Sequence, residues 1–224
     1  MRILAIETAT AVGSVALLDR GDVVGEVVEA VPQRHLEWLA PAIDGALRAA
    51  GWTPQAVQAV AVSRGPGTFT GLRIGVATAA AWARAAGIPL VATSTLETVA
   101  AGLEVEGLVC PVLDVRRGEV AGALFECNGA PRRVLDDLVA PVEALLARLP
   151  KDRPVVFGGD ALVRYAEALR AHPTARLAPA HRWNPRAATT GRLAWARLAR
   201  GDHDDPYRIA PIYARAAAAM GTQG

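Results

Sequence analysis

The start of the chain allows few topologies. Three apolar runs, at residues 3–6, 12–18 and 23–28, are joined by links of a few residues, one of them Arg20-Gly21-Asp22. Links that short close antiparallel hairpins, whereas a parallel crossover needs about a dozen residues or more. Leu36, Leu39, Ile43 and Leu47 then recur on one face of a helix that ends near Gly51. A strand at 57–62, a glycine-rich loop, a helix at 72–86 and a strand at 88–92 follow. The order βββαβαβ predicts three hairpin-linked strands continued by two helix crossovers, an α/β unit.

The order then restarts. Residues 108–115, 119–127 and 133–139 read as strands, 141–149 as a helix, 154–157 as a strand, and 161–171 as a helix after the break at Gly158-Gly159. Laid over each other, "AIETATAVGSVALLDRG" and "VLDVRRGEVAGALFECNG" put Glu7 on Asp114, Leu17 on Leu124 and Leu18 on Phe125. A repeated β-rich unit implies two related lobes. The expected division is a first lobe over 1–105, joined by part of the C-terminal region, a second lobe over 106–200 and a tail over 201–224. A further helix is expected at 186–199, extended or irregular chain at 206–215, and fraying over AAAAMGTQG.

Composition narrows the class. The chain is 52% hydrophobic and 21% charged, and its 224 residues can bury a sizeable core. The net charge is +2 with basic residues spread along the chain, which is no charge signature of a nucleic-acid binder. No apolar run reaches the ~20 residues of a membrane span, and MRILAIETAT lacks the parts of a signal peptide. A cytoplasmic protein with no membrane contact is expected. Cys110 and Cys127 have no C-x-x-C partner, so reduced thiols are expected rather than a zinc site. Lys151 is the only lysine, and no P-loop surrounds it.

The segment "SRGPGTFTGLRIG", from Ser63 to Gly75, carries the strongest local signal. Pro66 ends the strand before it, Gly65 and Gly67 permit positive φ, and Thr68 or Thr70 can cap the next helix. A helix start offers backbone donors to an anion, with Arg64 and Arg73 alongside. The segment lacks both the G-K-[ST] ending of a P-loop and the dinucleotide G-x-G-x-x-G. Two readings stand. One is an anion or nucleotide loop of Gly65, Gly67, Thr68 and Thr70, with Glu7 and Asp114 facing a cleft. The other is a plain strand-to-helix turn.

Downstream, Gly71, Gly75, Ala79 and Ala83 fall every four residues on one stripe, which suits close approach of the chain's own sheet or of a partner's helix. With Leu72, and with His35, Trp38 and Leu39 of the first helix, they form the candidate interface. His35, His172, His181 and His203 make no H-x-x-x-H or H-E-x-x-H pair, and there is no G-x-S-x-G elbow. No metal, cofactor or catalytic residue is assigned.

Taken together, several segments resemble the TsaB (YeaZ) family: "ILAIETAT", "SVALLDRG", "RHLEWLAPAIDGALRAAG", "GPGTFTGLRIGVATAAAWA" with "IPLVATSTLE", "LDVRRGEV" and "PIYAR". The resemblance covers most of the chain, and the Gly-Pro-Gly segment is its most specific part. Glu7 stands where the family usually has aspartate, and Thr68 where it usually has serine. The resemblance implies an actin-like (RNase-H-like) α/β fold of two related lobes, each with a mixed sheet and helices, the second reduced. It implies a non-catalytic partner in tRNA modification. The catalytic paralogue TsaD transfers a threonylcarbamoyl group to N6 of adenosine 37 in tRNAs reading A-starting codons, and the ATPase TsaE joins the assembly. It further implies homodimers through first-lobe helices when the protein is alone, and tRNA contact only through the complex.

In the catalytic paralogue an H-x-E-x-H metal motif follows the Gly-Pro-Gly helix. Matching Ile88-Pro89 puts that motif on Thr95-Leu96-Glu97-Thr98-Val99, so Thr95 and Val99 replace both histidines. Neither can ligate a metal as imidazole does, which reads as a pseudo-enzyme subunit. The alternative is an active actin-like-superfamily kinase or ATP-dependent transferase, holding ATP at the hairpins 7–14 and 114–119 and at Gly158-Gly159. A peptidase is disfavoured, since no nucleophile–base pair or metal motif supports it.

Overall fold

The N-terminal runs pair as their short links require. In the computed structural model, which describes residues 1–214, β1 (Arg2–Glu7), β2 (Val12–Asp19) and β3 (Asp22–Ala30) form an antiparallel meander. Next come α1 (His35–Ala49), a 3₁₀ turn at Pro54–Ala56, β4 (Ala59–Ser63), α2 (Phe69–Ala86) and β5 (Leu90–Thr93). The sheet order is β3-β2-β1-β4-β5, with β1, β4 and β5 parallel. Gly87 ends α2 in the left-handed region at φ +65°.

A short helix, α3 (Thr95–Gly102), lies outside the predicted elements. It leads to β6 (Gly107–Asp114), β7 (Val120–Asn128), β8 (Ala130–Ala140), α4 (Val142–Leu146), β9 (Val155–Gly158), α5 (Leu162–Arg170), β10 (Ala175–Leu177) and α6 (Ala187–Leu198). The second sheet runs β8-β7-β6-β9-β10, the arrangement of the first strand for strand. Glu7 and Asp114 occupy the same place, the last residue of the first strand in each repeat.

The chain divides into two units, Met1–Thr98 with Pro185–Pro211, and Val99–Asn184 with the described residues from Ile212. This corrects the expected boundary. The helix expected in the second lobe, and residues 201–211 of the expected tail, belong to the first unit. The reason lies in the sheet surface. Along β1, Leu4 and Ile6 face α1 and α2 with Val15, Leu17, Val60, Val62 and Leu39. The alternate residues Ile3 and Ala5 join Ala16, Ala59, Ala61 and Val91 in a face of mostly small side chains, which takes Ala187, Ala188 and Ala194 of α6. Two apolar faces each need a cover, and α6 supplies the second. Gly191 of α6 sits where a Cβ would collide with Leu18. The second unit has its own core of Leu108, Cys110, Val112, Leu145, Phe157 and Leu162. Among the described residues no helix is long and apolar enough to cross a membrane. The fraying expected for AAAAMGTQG, and Arg215, lie outside the described residues.

Candidate functional site

The glycine-rich loop is built into its own unit. Gly65 and Pro66 are buried; the Gly65 carbonyl accepts from the Thr95 N–H at 2.9 Å, and the Thr68 N–H donates to the Ala9 carbonyl at 2.7 Å. Gly67 packs so closely on Ala9 that a Cβ would not fit. Thr68 is the N-cap of α2 but makes no side-chain cap hydrogen bond, which corrects the capping role expected for it; Thr70 is exposed in the first turn. Arg73 lies over the Phe69 ring at 5.2 Å. The loop thus clamps α2 onto the β1–β2 link.

The small-residue stripe also faces inward. Gly71, Leu72, Gly75, Ala79 and Ala83 are buried. A Cβ on Gly71 would collide with the Thr8 carbonyl, and one on Gly75 with the Thr8 hydroxyl, which itself donates to the Gly71 carbonyl at 2.8 Å. His35 and Leu39 are buried as well, and burial pushes the His35 pKa down. The expectation that these seven residues present an interface is therefore corrected. The close approach they permit is used by the strand end at Thr8. Trp38 alone of the candidate set is half-buried, packed on Gly13 with its Nε1 donating to Glu29 at 2.9 Å.

Glu7 is fully buried, not cleft-facing. Its Oε1 accepts from the Ala9 N–H at 2.8 Å, and its Oε2 has no hydrogen-bond partner. Beside it Ser63, Thr93, Thr98 and Thr190 form a buried hydroxyl cluster. Ser63 Oγ lies 3.4 Å from Thr93, 3.4 Å from Thr98 and 3.2 Å from Thr190; Thr98 lies 3.1 Å from Thr93 and 3.4 Å from Thr190. Burial pushes Glu7 up to about 7, against the opposite pull of Ser63, the Ala9 and Thr8 backbone, and Thr190. Thr95, the first residue of α3, and Val99, a turn further on, are buried, and Thr95 Oγ1 has no partner. In the second unit, Asp114 Oδ1 accepts from the Arg116 N–H at 2.8 Å and Asp160 Oδ1 from the Asp114 N–H at 3.0 Å. Burial raises Asp160 to about 6. Gly159, at φ +120°, lies so close to Val112 that a Cβ there would collide with its backbone.

Other apolar side chains of the first unit are exposed, two of them at neighbouring helix starts. Leu36 is 75% exposed and Phe69 57%. With Gln33, Arg34, Arg73 and Ile74 they line a groove of about 390 Å³ at the N-terminal ends of α1 and α2. A second groove of about 650 Å³ runs along the later turns of α2, between Thr78, Trp82 and Ala85 on one side and Pro54 and Gln55 on the other. The sequence holds part of the signal for the first groove: Phe69 and Arg73, four residues apart, share one face of α2.

Residues 22–221 match the family model described as "TsaD: tRNA N6-adenosine threonylcarbamoyltransferase". The chain is 38% identical over 162 residues to the tRNA threonylcarbamoyladenosine biosynthesis protein TsaB of Bacillus subtilis, covering 71% of each protein. The chain belongs to the TsaB (YeaZ) family, within the wider TsaD-like domain family. YeaZ from Pseudomonas aeruginosa superposes with a TM-score of 0.83 over 95% of this chain and 99% of that one, at 29% identity. A more distant likeness fixes the architecture. The activator of 2-hydroxyisocaproyl-CoA dehydratase from Clostridium difficile matches with a TM-score of 0.56 and 12% identity, over 90% of this chain and 97% of that one. The fold of this TsaB-family chain is actin-like, as its duplicated β-meander and crossovers require.

Proposed function

We propose that this TsaB-family protein acts in tRNA threonylcarbamoyladenosine biosynthesis as a non-catalytic partner. Its work is to bind and support a TsaD-like catalytic paralogue that transfers the threonylcarbamoyl group to N6 of adenosine 37, with a TsaE-like ATPase in the assembly. The protein is cytoplasmic, meets tRNA through the complex, and pairs with itself when alone. The observation that carries this reading is a contrast within the first unit. The loop that could have cradled an anion spends its geometry on holding α2 to the β1–β2 link. The exposed Leu36–Phe69–Ile74 groove is left open beside it. Apolar side chains on adjacent helix starts are the usual makings of a helix-to-helix interface.

Reconstitution tests it. Purified TsaD, TsaE, donor-forming enzyme, tRNA, threonine, bicarbonate and ATP are mixed with and without this protein. Modified nucleoside is expected only in the complete mixture. Equal product in both arms would end the proposal. The reading of the chain as an ATP-dependent enzyme in its own right is tested by calorimetry with ATP-Mg, where sub-millimolar binding by the isolated protein would favour it.

A further inference from the structure

The proposed role makes no use of a polar row buried beneath α6. On the sheet face that α6 covers, Ile3 and Ala5 lead at alternate positions to Glu7 on β1, Ala59 and Ala61 to Ser63 on β4, and Val91 to Thr93 on β5. Strand side chains alternate in direction, so the three polar groups point toward α6 with the apolar ones. Register sets them side by side. Glu7 and Ser63 follow the paired Ile6 and Val62, and Ser63 pairs with Thr93. Each is the last residue of its strand, and the three strands are parallel. Carboxyl ends of parallel strands are where open α/β sheets place their ligands.

Thr98 of α3 and Thr190 of α6 complete the group, and Glu7, Ser63, Thr98 and Thr190 are all fully buried. The hydroxyl oxygens of Ser63, Thr98 and Thr190 form a nearly equilateral triangle, with sides of 3.4, 3.4 and 3.2 Å. Those sides are longer than the ~2.7–2.8 Å usual between hydrogen-bonded hydroxyls. They match one face of an octahedron around an ion, since ligands held at ~2.4 Å lie ~3.4 Å apart. Glu7 stands beside Ser63 in register, and Ser63 and Thr190 both act on its carboxyl, yet its Oε2 has no hydrogen-bond partner. Protonated, that oxygen would have nothing to donate to. Ionised, it would be a buried charge with no counter-charge. Either form calls for one more group.

We propose that Glu7, Ser63, Thr98 and Thr190 bind a sodium ion. Thr93 steadies two of these ligands from the side, 3.4 Å from Ser63 and 3.1 Å from Thr98. The charge fits a monovalent ion. No ion pair among the described residues involves Glu7; on the neighbouring elements Glu26 binds Arg186, and Arg197 binds Asp202 and Asp204. One carboxylate cancels one positive charge, whereas a divalent ion would bring an uncompensated charge into a buried site. No group of three His, Cys, Asp or Glu able to hold a metal gathers among the described residues. Hydroxyl and carboxylate oxygens are hard donors, suited to a hard cation. Potassium, a larger ion, needs its ligands further apart than this triangle sets them. The ion would tie α3, through Thr98, and α6, through Thr190, to the ends of β1 and β4.

An ion held only by the folded unit stabilises it by mass action. The test is urea unfolding of the full chain in sodium, potassium or choline chloride at equal ionic strength, so that general screening is the same in each. Tryptophan fluorescence follows the right unit, since Trp38, Trp52, Trp82 and Trp195 lie in the first. As the site fills, the unfolding constant is expected to fall about tenfold for each tenfold rise in sodium at the expense of choline. Glu7→Gln keeps the shape of the side chain without its charge and should lose this response. Thr190→Val exchanges one ligand hydroxyl for a methyl group and should need about tenfold more sodium for the same effect. Should Glu7→Gln not fold, Thr190→Val decides. Equal unfolding in sodium and choline overturns the site and leaves the row to water. A response as strong to potassium, or one that either variant keeps in full, overturns it as well.

Discussion

Single residues here are chosen for direction as well as size. Gly71 and Gly45 both lie inside helices, where glycine costs roughly 0.5–1 kcal/mol relative to alanine. A Cβ on Gly45 would meet nothing within 4 Å, so Gly45→Ala should gain up to about 1 kcal/mol. A Cβ on Gly71 would run into the Thr8 carbonyl, a backbone atom that cannot swing away. Gly71→Ala should therefore lose about 1–3 kcal/mol despite its better propensity. Urea unfolding of the two variants checks this, and a stabilised Gly71→Ala would show that α2 is not clamped on Thr8. The four-residue spacing of the stripe was legible in the sequence. Its direction was not, because close approach is asked for equally by the chain's own strand end and by a foreign helix.

At the scale of elements, the segment after α6 does what a further strand would do. Leu90 and Ala92 of edge strand β5 have their outward backbone groups filled. The Leu90 carbonyl accepts from the Asp204 N–H at 2.8 Å, and the Ala92 N–H donates to the Asp204 carboxylate at 2.8 Å. Arg197 holds the arrangement, reaching the Ala92 carbonyl at 2.9 Å and Asp204 at 3.1 Å. An unpaired edge is a template for aggregation, and this one is covered. Asp204→Ala should speed exchange of the Ala92 amide at least tenfold, since a bond to a charged group worth roughly 1.5–3 kcal/mol is lost, less some solvent screening. Asp204→Asn, which keeps an acceptor oxygen, should do less; unchanged exchange in both would show that the edge is not held by this contact. The sequence marks 201–205 only as a polar break, because a partner more than a hundred residues away leaves no local trace. Helix α3 is a different omission. Leu96, Val99, Ala100 and Leu103 have helical spacing and are buried, but a short segment with β-branched threonines and valine is ambiguous between helix and strand.

At the scale of the whole molecule, the duplication was legible because both repeats obey the same constraint, hairpin links before helix crossovers. The unit boundary was not, because α6 is recruited by an alanine-rich sheet face far upstream in sequence. The same logic bears on the binding surface proposed above. Buried residues serve the fold, so an interface is sought among apolar side chains that stay exposed. Phe69 and Leu36 keep more than half of their surface exposed, and neither belongs to the unit's core cluster. Phe69→Asp should therefore change folding stability by no more than about 0.5 kcal/mol, the range of ordinary surface changes. It should nevertheless weaken binding of the TsaD-like partner, and self-association, by tenfold or more, the loss expected when an aromatic anchor is replaced by a charge. Val163→Asp is the matched control: Val163 is 80% exposed on α5 of the second unit, an apolar residue outside the groove. Light scattering and calorimetry on the three proteins, alongside thermal unfolding, separate the outcomes. Loss of pairing in Phe69→Asp alone, with its unfolding unchanged, places the contact at the starts of α1 and α2. Full pairing in Phe69→Asp removes this groove from the interface and leaves the Trp82 groove along the later turns of α2 to be tested by Trp82→Asp.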